Sequence, residues 1–332
     1  MRAALIHEFG PVESLRVADT ADPVAGPGQV VVDVRATAIN FVDTLVITGK
    51  YQFLPDRPFA PGKLPTGIVS AVGPGVETLR AGDRVLTLAE HGGYAEKVAV
   101  AAKDCFALPD SLSFPDAAAM SLAFDTAWFA LCERARAKPG ETVLVLGATG
   151  SVGLASIQLA KAYGLRVLAG VSSAAKAGQV LAAGADGIVD LSRPQLIDSL
   201  REQVREQTAG AGADIVIDPL GGDIFDAAIR AVAWRGRLVV VGFAAGRIPT
   251  LKVNYVMLKN MEVSGLQVSD YRKRTPDEMA HCIHEIFRLY AEGKLNPGKV
   301  TTYPLERVAE ALAHLQNRSA PGRLVLTMEA GS

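Results

Sequence analysis

The stretch from Thr142 to Gly164, TVLVLGATGSVGLASIQLAKAYG, constrains this chain more than any other. Val143, Leu144, Val145 and Leu146 form an apolar run of the kind a parallel strand shows when helices cover both its faces. The turn Gly147, Ala148, Thr149, Gly150, Ser151, Val152 and Gly153 follows. Val152, Ala155, Leu159, Ala160 and Tyr163 then recur at the spacing of one helix face, with Gly164 as the stop. Strand, glycine turn and helix together give the glycines a task. Without Cβ atoms the backbone can donate N–H bonds to a close pyrophosphate, and the helix N-terminus adds partial positive charge. A dinucleotide cradle over Gly147 to Gly153 is the expectation.

Downstream, strands and helices keep alternating. Strands are expected at Arg166 to Val171, Gly187 to Leu191, Ala213 to Asp218, Arg237 to Gly242 and Met261 to Gly265, with helices near 174–183, 194–207 and 224–233. Six strands with intervening helices make a doubly wound parallel sheet, the Rossmann arrangement of an α/β protein.

Residues 1–122 read differently. Short β-prone runs at Ala3 to Ile6, Val30 to Ala38, Ile68 to Val72, Arg84 to Leu88 and Tyr94 to Val100 are separated by turn clusters, which suits a small irregular barrel. Phe41 to Thr48 is expected to be a short helix ended by Gly49. From Gly49 to Gly67 the chain is rich in Pro and aromatic residues without periodicity, and a loop of that length in a compact domain is often functional. Ser113-Phe-Pro-Asp116 starts a helix that runs to about Ala137, with a break near Phe124. Beyond Gly265, two helices near 275–292 and 305–316 and a strand from Arg323 to Met328 are too few for a third domain. The expected division is therefore 1–122, a mostly β substrate domain; 123–265, the inserted Rossmann domain; and 266–332, a segment folding back onto the first.

At 332 residues the chain is long enough for two domains, and Lys plus Arg (34) nearly balances Asp plus Glu (35). No global charge recruits nucleic acid or membrane, so the expected partner is a small molecule. Cys105, Cys132 and Cys282 are widely spaced and read as buried, reduced thiols. MRAALIHEFG lacks the apolar core of a signal peptide, and no run has the length of a membrane span, which points to the cytoplasm.

The end of the second strand chooses between nicotinamide cofactors, because an acid there bonds the ribose 2′-OH of NAD whereas hydroxyls and a cation suit a 2′-phosphate. This chain offers Ser172, Ser173 and Lys176 and no acid. NADPH (NADP) is the expected cofactor. Asp218 and the pair Gly242 and Phe243 stand at later strand ends, where backbone can approach ribose and nicotinamide; Asp218 is equally suited to capping the next helix.

With Asn40-Phe-Val-Asp43, Gly49-Lys-Tyr51, Gly92-Gly-Tyr-Ala-Glu96, the Gly147 turn with IQLAKAYG, and Gly236-Arg-Leu-Val-Val-Val-Gly-Phe243, the chain resembles the zinc-independent quinone oxidoreductases, the zeta-crystallin-like NADPH:quinone reductases of the medium-chain dehydrogenase/reductase superfamily. The resemblance covers essentially the whole chain. It implies a GroES-like substrate domain, a Rossmann domain, NADPH as hydride donor and a homodimer. It also implies that Tyr51 lines the substrate site, that Asn40 and Asp43 lie near the nicotinamide, and that Arg318 helps hold the 2′-phosphate. Asn40 and Asp43 are equally placed to cap the helix from Phe41. Zinc relatives carry a Cys near position 40 and Gly-His-Glu in the following loop, where this chain has Gly62-Lys63-Leu64, and its five histidines show no ligand spacing, so no metal is expected. Lacking ligands for a Lewis acid, the chain suits hydride transfer to an already polarised quinone or enone better than alcohol oxidation. Lys63-Leu64-Pro65 and Leu45 depart from the usual quinone-reductase residues, and Leu191 stands where an adenine-stacking tyrosine is common. Two alternatives remain: an enoyl-thioester (enoyl-CoA) reductase using Arg57, Lys63 and Lys252 as a phosphate groove, and a non-catalytic, NADPH-binding or RNA-binding crystallin-like protein.

Overall fold

The computed structural model describes residues 1–317, 319–320 and 322–328. These form two compact units, one of Met1–Leu122 with Asn296–Ser332 and one of Ala123–Leu295.

The second unit is built on a six-stranded sheet, all parallel, in the spatial order Gly187–Asp190, Arg166–Val171, Thr142–Val145, Ala213–Asp218, Val232–Val240, Glu262–Gly265. Numbered along the chain this order is 3-2-1-4-5-6, the doubly wound arrangement whose first strand is central. The apolar runs account for it: Val143, Leu144 and Val145 are fully buried, as a strand covered on both faces requires. Leu144, Leu168, Val216 and Leu238 of the strands share one core with Leu200, Val204 and Phe225 of the helices Leu196–Gln207 and Gly222–Ala231.

In the first unit the ten-residue strand Gln29–Ala38 pairs antiparallel with Thr66–Val72, Lys97–Ala101 and Arg323–Thr327. Its Val30, Val32 and Val34 enter a core with Ile39, Tyr94, Leu312 and Leu326. The last strand is therefore part of the same sheet as the first hundred residues, and Val300–Pro304 extends that sheet in parallel beside it.

Several expectations need correction. Residues 266–295 group with the Rossmann unit, and the segment that groups with the first unit begins at Asn296 instead of 266. The reason is burial: the helix Pro276–Ala291 inserts Met279, Cys282, Ile283, Ile286 and Leu289, and Arg272 of the helix Val268–Arg274 pairs with Asp125. The helix from Phe114 does not break at Phe124. It continues to Trp128 and winds on through a π-helical stretch, Phe129–Arg134, while Ser113 caps its start by accepting from Asp116 N–H at 3.2 Å. The fifth strand begins at Val232, and the helix Val253–Lys259 stands where no element was expected. No helix among the described residues is long and apolar enough to cross a membrane.

Candidate active site

The expected cofactor residues gather at the carboxyl ends of the parallel strands. Gly147, with φ of 57°, turns the chain out of the central strand, and Gly150 precedes the helix Ser151–Ala162. Gly153 lets that helix start close to the strand: a Cβ there would lie 2.4 Å from Gly147 O and 2.7 Å from Ala148 Cα, both backbone atoms. Ala148 is buried and donates its N–H to Gly170 O at 3.2 Å, tying the turn to the neighbouring strand. Thr149, Ser151 and Val152 stay partly open around the helix N-terminus, whose first-turn N–H groups have no partners within the helix. The cradle fits a pyrophosphate.

Ser172, Ser173 and Lys176 follow the strand Arg166–Val171, with Ser172 and Lys176 exposed. The first acid after that strand is Asp186, and it is engaged elsewhere. Its carboxylate accepts from Lys161 Nζ at 2.9 Å and from Val167 N–H at 2.7 Å, at the opposite end of the strand. Donors and a cation at a strand end without an acid fit a 2′-phosphate.

Asp218, fully buried, answers the question left open by its sequence position in part. Its Oδ1 accepts from Leu220 N–H at 2.9 Å and Gly221 N–H at 3.0 Å, so it shapes the turn before the helix Gly222–Ala231 and does not cap the helix itself. Its Oδ2 has no hydrogen-bond partner among the described residues, and burial raises its pKa. Gly221, with φ of 66°, lies against the ring of Phe243, which is 40% exposed, and Gly242 donates to Asp218 O at 3.4 Å. Arg318 lies outside the described residues.

In the first unit, Asn40 and Asp43 are helix-start residues and more. Asp43 Oδ2 accepts from Asn40 N–H at 2.7 Å, the acidic half of a capping box, and from the Tyr94 hydroxyl at 2.8 Å. Asn40 Oδ1 accepts from Arg323 Nη2 at 3.1 Å, which ties the helix Phe41–Ile47 to the terminal strand. Sequence reasoning missed Tyr94 and Arg323. The only signal was the Gly-Gly-Tyr-Ala-Glu block: Gly62 opposite cannot carry a Cβ because the Tyr94 ring would lie 2.3 Å away. Tyr51 is half-buried in the loop after the helix, with Phe53 edge-on at 6.2 Å and the Lys63 ammonium 5.6 Å from its ring centroid. Lys63 is 5% exposed and ion-paired to Glu90.

Burial holds the Asp43 carboxyl up at about 6, against downward pulls from Asn40 N–H, the Tyr94 hydroxyl, Lys63 and Arg323. Burial also raises Tyr94, as does the charge of Asp43 beside it. Because the folded value of Asp43 exceeds the unfolded one, near 3.8, the folded chain binds the extra proton between those pH values. Its contribution is present below the unfolded value and is lost as pH rises to about 6, by roughly 3 kcal/mol at 1.36 per unit. Melting curves of the parent and Asp43→Asn between pH 4 and pH 7 should therefore not run parallel: the parent should lose several degrees relative to the variant as pH rises. Parallel curves would show that Asp43 titrates as an ordinary carboxyl.

A Rossmann sheet with a phosphate turn, set in the chain between two stretches of a single antiparallel-rich β unit, defines a medium-chain dehydrogenase/reductase. Two family models match the chain, "Alcohol dehydrogenase GroES-like domain" over residues 26–110 and "Zinc-binding dehydrogenase" over 151–285. Quinone oxidoreductase-like protein 2 of Rattus norvegicus is 33% identical, covering 99% of this chain and 92% of the relative. Quinone oxidoreductase of Homo sapiens is 33% identical over 99% and 98%. The structure of Escherichia coli quinone oxidoreductase complexed with NADPH superposes with a TM-score of 0.90 at 29% identity, over 98% of this chain and 100% of that one. The chain belongs to the quinone oxidoreductase family.

The word zinc in the second family description prompts a test of the donor set. Among the described residues no group of three His, Cys, Asp or Glu side chains could hold a metal ion, and the three cysteines are free thiols. Lys63, a cation, fills the loop in which zinc relatives carry histidine. These residues do not fit a bound zinc ion.

Proposed function

We propose that the chain is an NADPH-dependent, zinc-independent oxidoreductase that transfers hydride to a quinone or another α,β-unsaturated carbonyl. The observation that carries it is the strand end at Val171, where Ser172, Ser173 and Lys176 stand and no acid follows before Asp186. The NADPH complex of the Escherichia coli relative supports the same cofactor.

NADPH, when bound, supplies the hydride. The Gly147 to Gly153 turn and the helix N-terminus hold its pyrophosphate through backbone N–H groups and the helix dipole. Ser172, Ser173 and Lys176 hold the 2′-phosphate, a role the resemblance extends to Arg318. Asp218 fixes the turn that sets Gly221 against Phe243, and Gly242 and Phe243 border the ribose and nicotinamide. Tyr51 donates a hydrogen bond to the acceptor's carbonyl oxygen as charge builds on it. Asn40 and Asp43, locked by Tyr94 and Arg323, hold the helix that precedes Tyr51.

A small neutral acceptor is favoured over an acyl thioester. Of the three cations considered for a phosphate groove, Lys63 is buried against Glu90 and Arg57 stacks on the Phe9 ring at 4.6 Å. A homodimer belongs to the same reading. The helix Val253–Lys259 leaves Val253, Met257 and Leu258 about 70% exposed, which suits a covering copy.

Steady-state assays with 1,4-benzoquinone and crotonyl-CoA, alongside NADPH and NADH titrations, test the proposal. Turnover with the quinone, binding of NADPH at least about tenfold tighter than NADH, and narrowing of that gap in Lys176→Ala are expected. Light scattering should give twice the chain mass. Activity with the thioester alone would overturn the acceptor; equal affinity for the two cofactors would overturn the phosphate site.

A further inference from the structure

The loop from Gly49 to Gly67 has two halves. Residues 50–58 are largely exposed, whereas 59–67 are buried and run against 89–94 through Gly92 N–H to Ala60 O, Tyr94 N–H to Pro61 O, Gly93 N–H to Gly62 O and Leu64 N–H to Ala89 O, at 2.7 to 3.0 Å. Lys63 sits in the buried half between two left-handed residues, Gly62 with φ of 89° and Leu64 with φ of 53°. The second is uncommon, because a branched side chain disfavours that conformation, and Leu64 is itself fully buried. Such backbone persists only where the surroundings over-determine it, and it clusters at functional sites. Here it turns a lysine inward. Lysines are almost never buried unless paired, and this one is paired twice: to the Glu90 carboxylate and to the face of Tyr51.

We propose that Lys63 is a positioning residue that holds the Tyr51 ring by its face while Glu90 holds the ammonium. The proposal rests on the reading that Tyr51 meets the acceptor. Tyr51 lies in no helix or strand and its neighbours Gln52, Phe53 and Leu54 are exposed, while its ring packs against the core that holds Tyr94, so side-chain contacts rather than regular backbone set the ring, and Lys63 is the charged one among them. A hydrogen-bond donor serves a developing charge only when it is already in place. Lys63 anchors the exposed half of the loop to the rigid half at the one residue whose hydroxyl has to be aimed.

The test uses the full chain with NADPH and 1,4-benzoquinone. Lys63→Met should lower kcat about tenfold with NADPH affinity unchanged, and Lys63→Arg, which keeps both the pair and the ring contact, should recover to within about threefold of the parent. In a Tyr51→Phe background the Met substitution should add little, since both changes act on the same hydroxyl. Independently of turnover, the ring signal of 13C-labelled Tyr51, assigned by its loss in Tyr51→Phe, should move in Lys63→Met and return in Lys63→Arg. If Lys63→Met does not fold, Glu90→Gln replaces it and should move the same signal. An unmoved signal, or additive losses of kcat, would overturn the role of Lys63. Absence of turnover by the parent with quinones and enones would overturn the proposed function instead, and the Tyr51 signal would still decide the positioning.

Discussion

Replacing Gly153 by alanine should weaken NADPH binding by on the order of tenfold to a hundredfold and lower the melting temperature, while Gly150→Ala should leave the melting temperature close to the parent and act on NADPH binding alone, through the Cβ it sets against the pyrophosphate. The two glycines sit three residues apart in one turn, yet their surroundings differ. A Cβ on Gly153 would lie 2.4 Å from Gly147 O, 2.7 Å from Ala148 Cα and 2.8 Å from Ala148 C. None of these is a flexible side chain. Relief requires the helix Ser151–Ala162 to move away from the strand end, which displaces the N–H groups and the dipole that the pyrophosphate uses. A Cβ on Gly150 would meet only Gly147 O, at 3.3 Å, and its φ of −76° suits any residue. Titration of NADPH by fluorescence, with calorimetry on the same samples, distinguishes the cases. Parent-like NADPH affinity in Gly153→Ala would show that the turn is not the pyrophosphate seat.

This contrast marks how far sequence alone reaches. The central strand and its turn were legible because burial on both faces forces an uninterrupted apolar run, and Val143 to Leu146 is one. Which glycine is indispensable was not, since that depends on where Ala148 lies in space. The helix Val253–Lys259 escaped notice for a physical reason: it buries no residue fully and exposes Val253, Met257 and Leu258, so no apolar stripe separates an inner face from an outer one. The strand Val300–Pro304 ends in proline and buries only Tyr303, as an edge strand can. In the site, Tyr51, Asn40 and Asp43 came from a family resemblance. Their partners Tyr94, Arg323, Lys63 and Glu90 did not, because the contacts join segments 27 to 283 residues apart along the chain. Only the pairing of 60–64 with 89–94 brings Tyr94 under Gly62 and Glu90 to Lys63.

Residues 266–295 are held to the Rossmann unit by the apolar face of the helix Pro276–Ala291 and by one polar contact that should prove equally consequential. Arg272 is 7% exposed as a residue and Asp125 not at all, and the guanidinium donates to the Asp125 carboxylate across 147 positions of chain. Thr126 Oγ1 adds a bond to the same carboxylate at 3.2 Å. Burial raises the Asp125 carboxyl while Arg272 pulls it down, by its charge and its hydrogen bond. A polar segment, Val-Ser-Asp-Tyr-Arg-Lys-Arg, is thereby joined to the Rossmann unit where hydrophobic patterning offered no reason to place it. Removing one partner of such a pair leaves a buried charge uncompensated and typically costs about 3–5 kcal/mol, whereas replacing both by apolar residues of similar volume is often nearly neutral. Arg272→Met is therefore expected to lower the melting temperature by on the order of 10 °C. The double replacement Asp125→Leu with Arg272→Met should lie closer to the parent than Arg272→Met alone, because it removes the stranded carboxylate as well as the cation. Calorimetry on the three chains decides it. A change of only a degree or two in Arg272→Met, or a double variant less stable than Arg272→Met, would mean that the apolar face of the helix Pro276–Ala291 holds residues 266–295 in place without help from the pair.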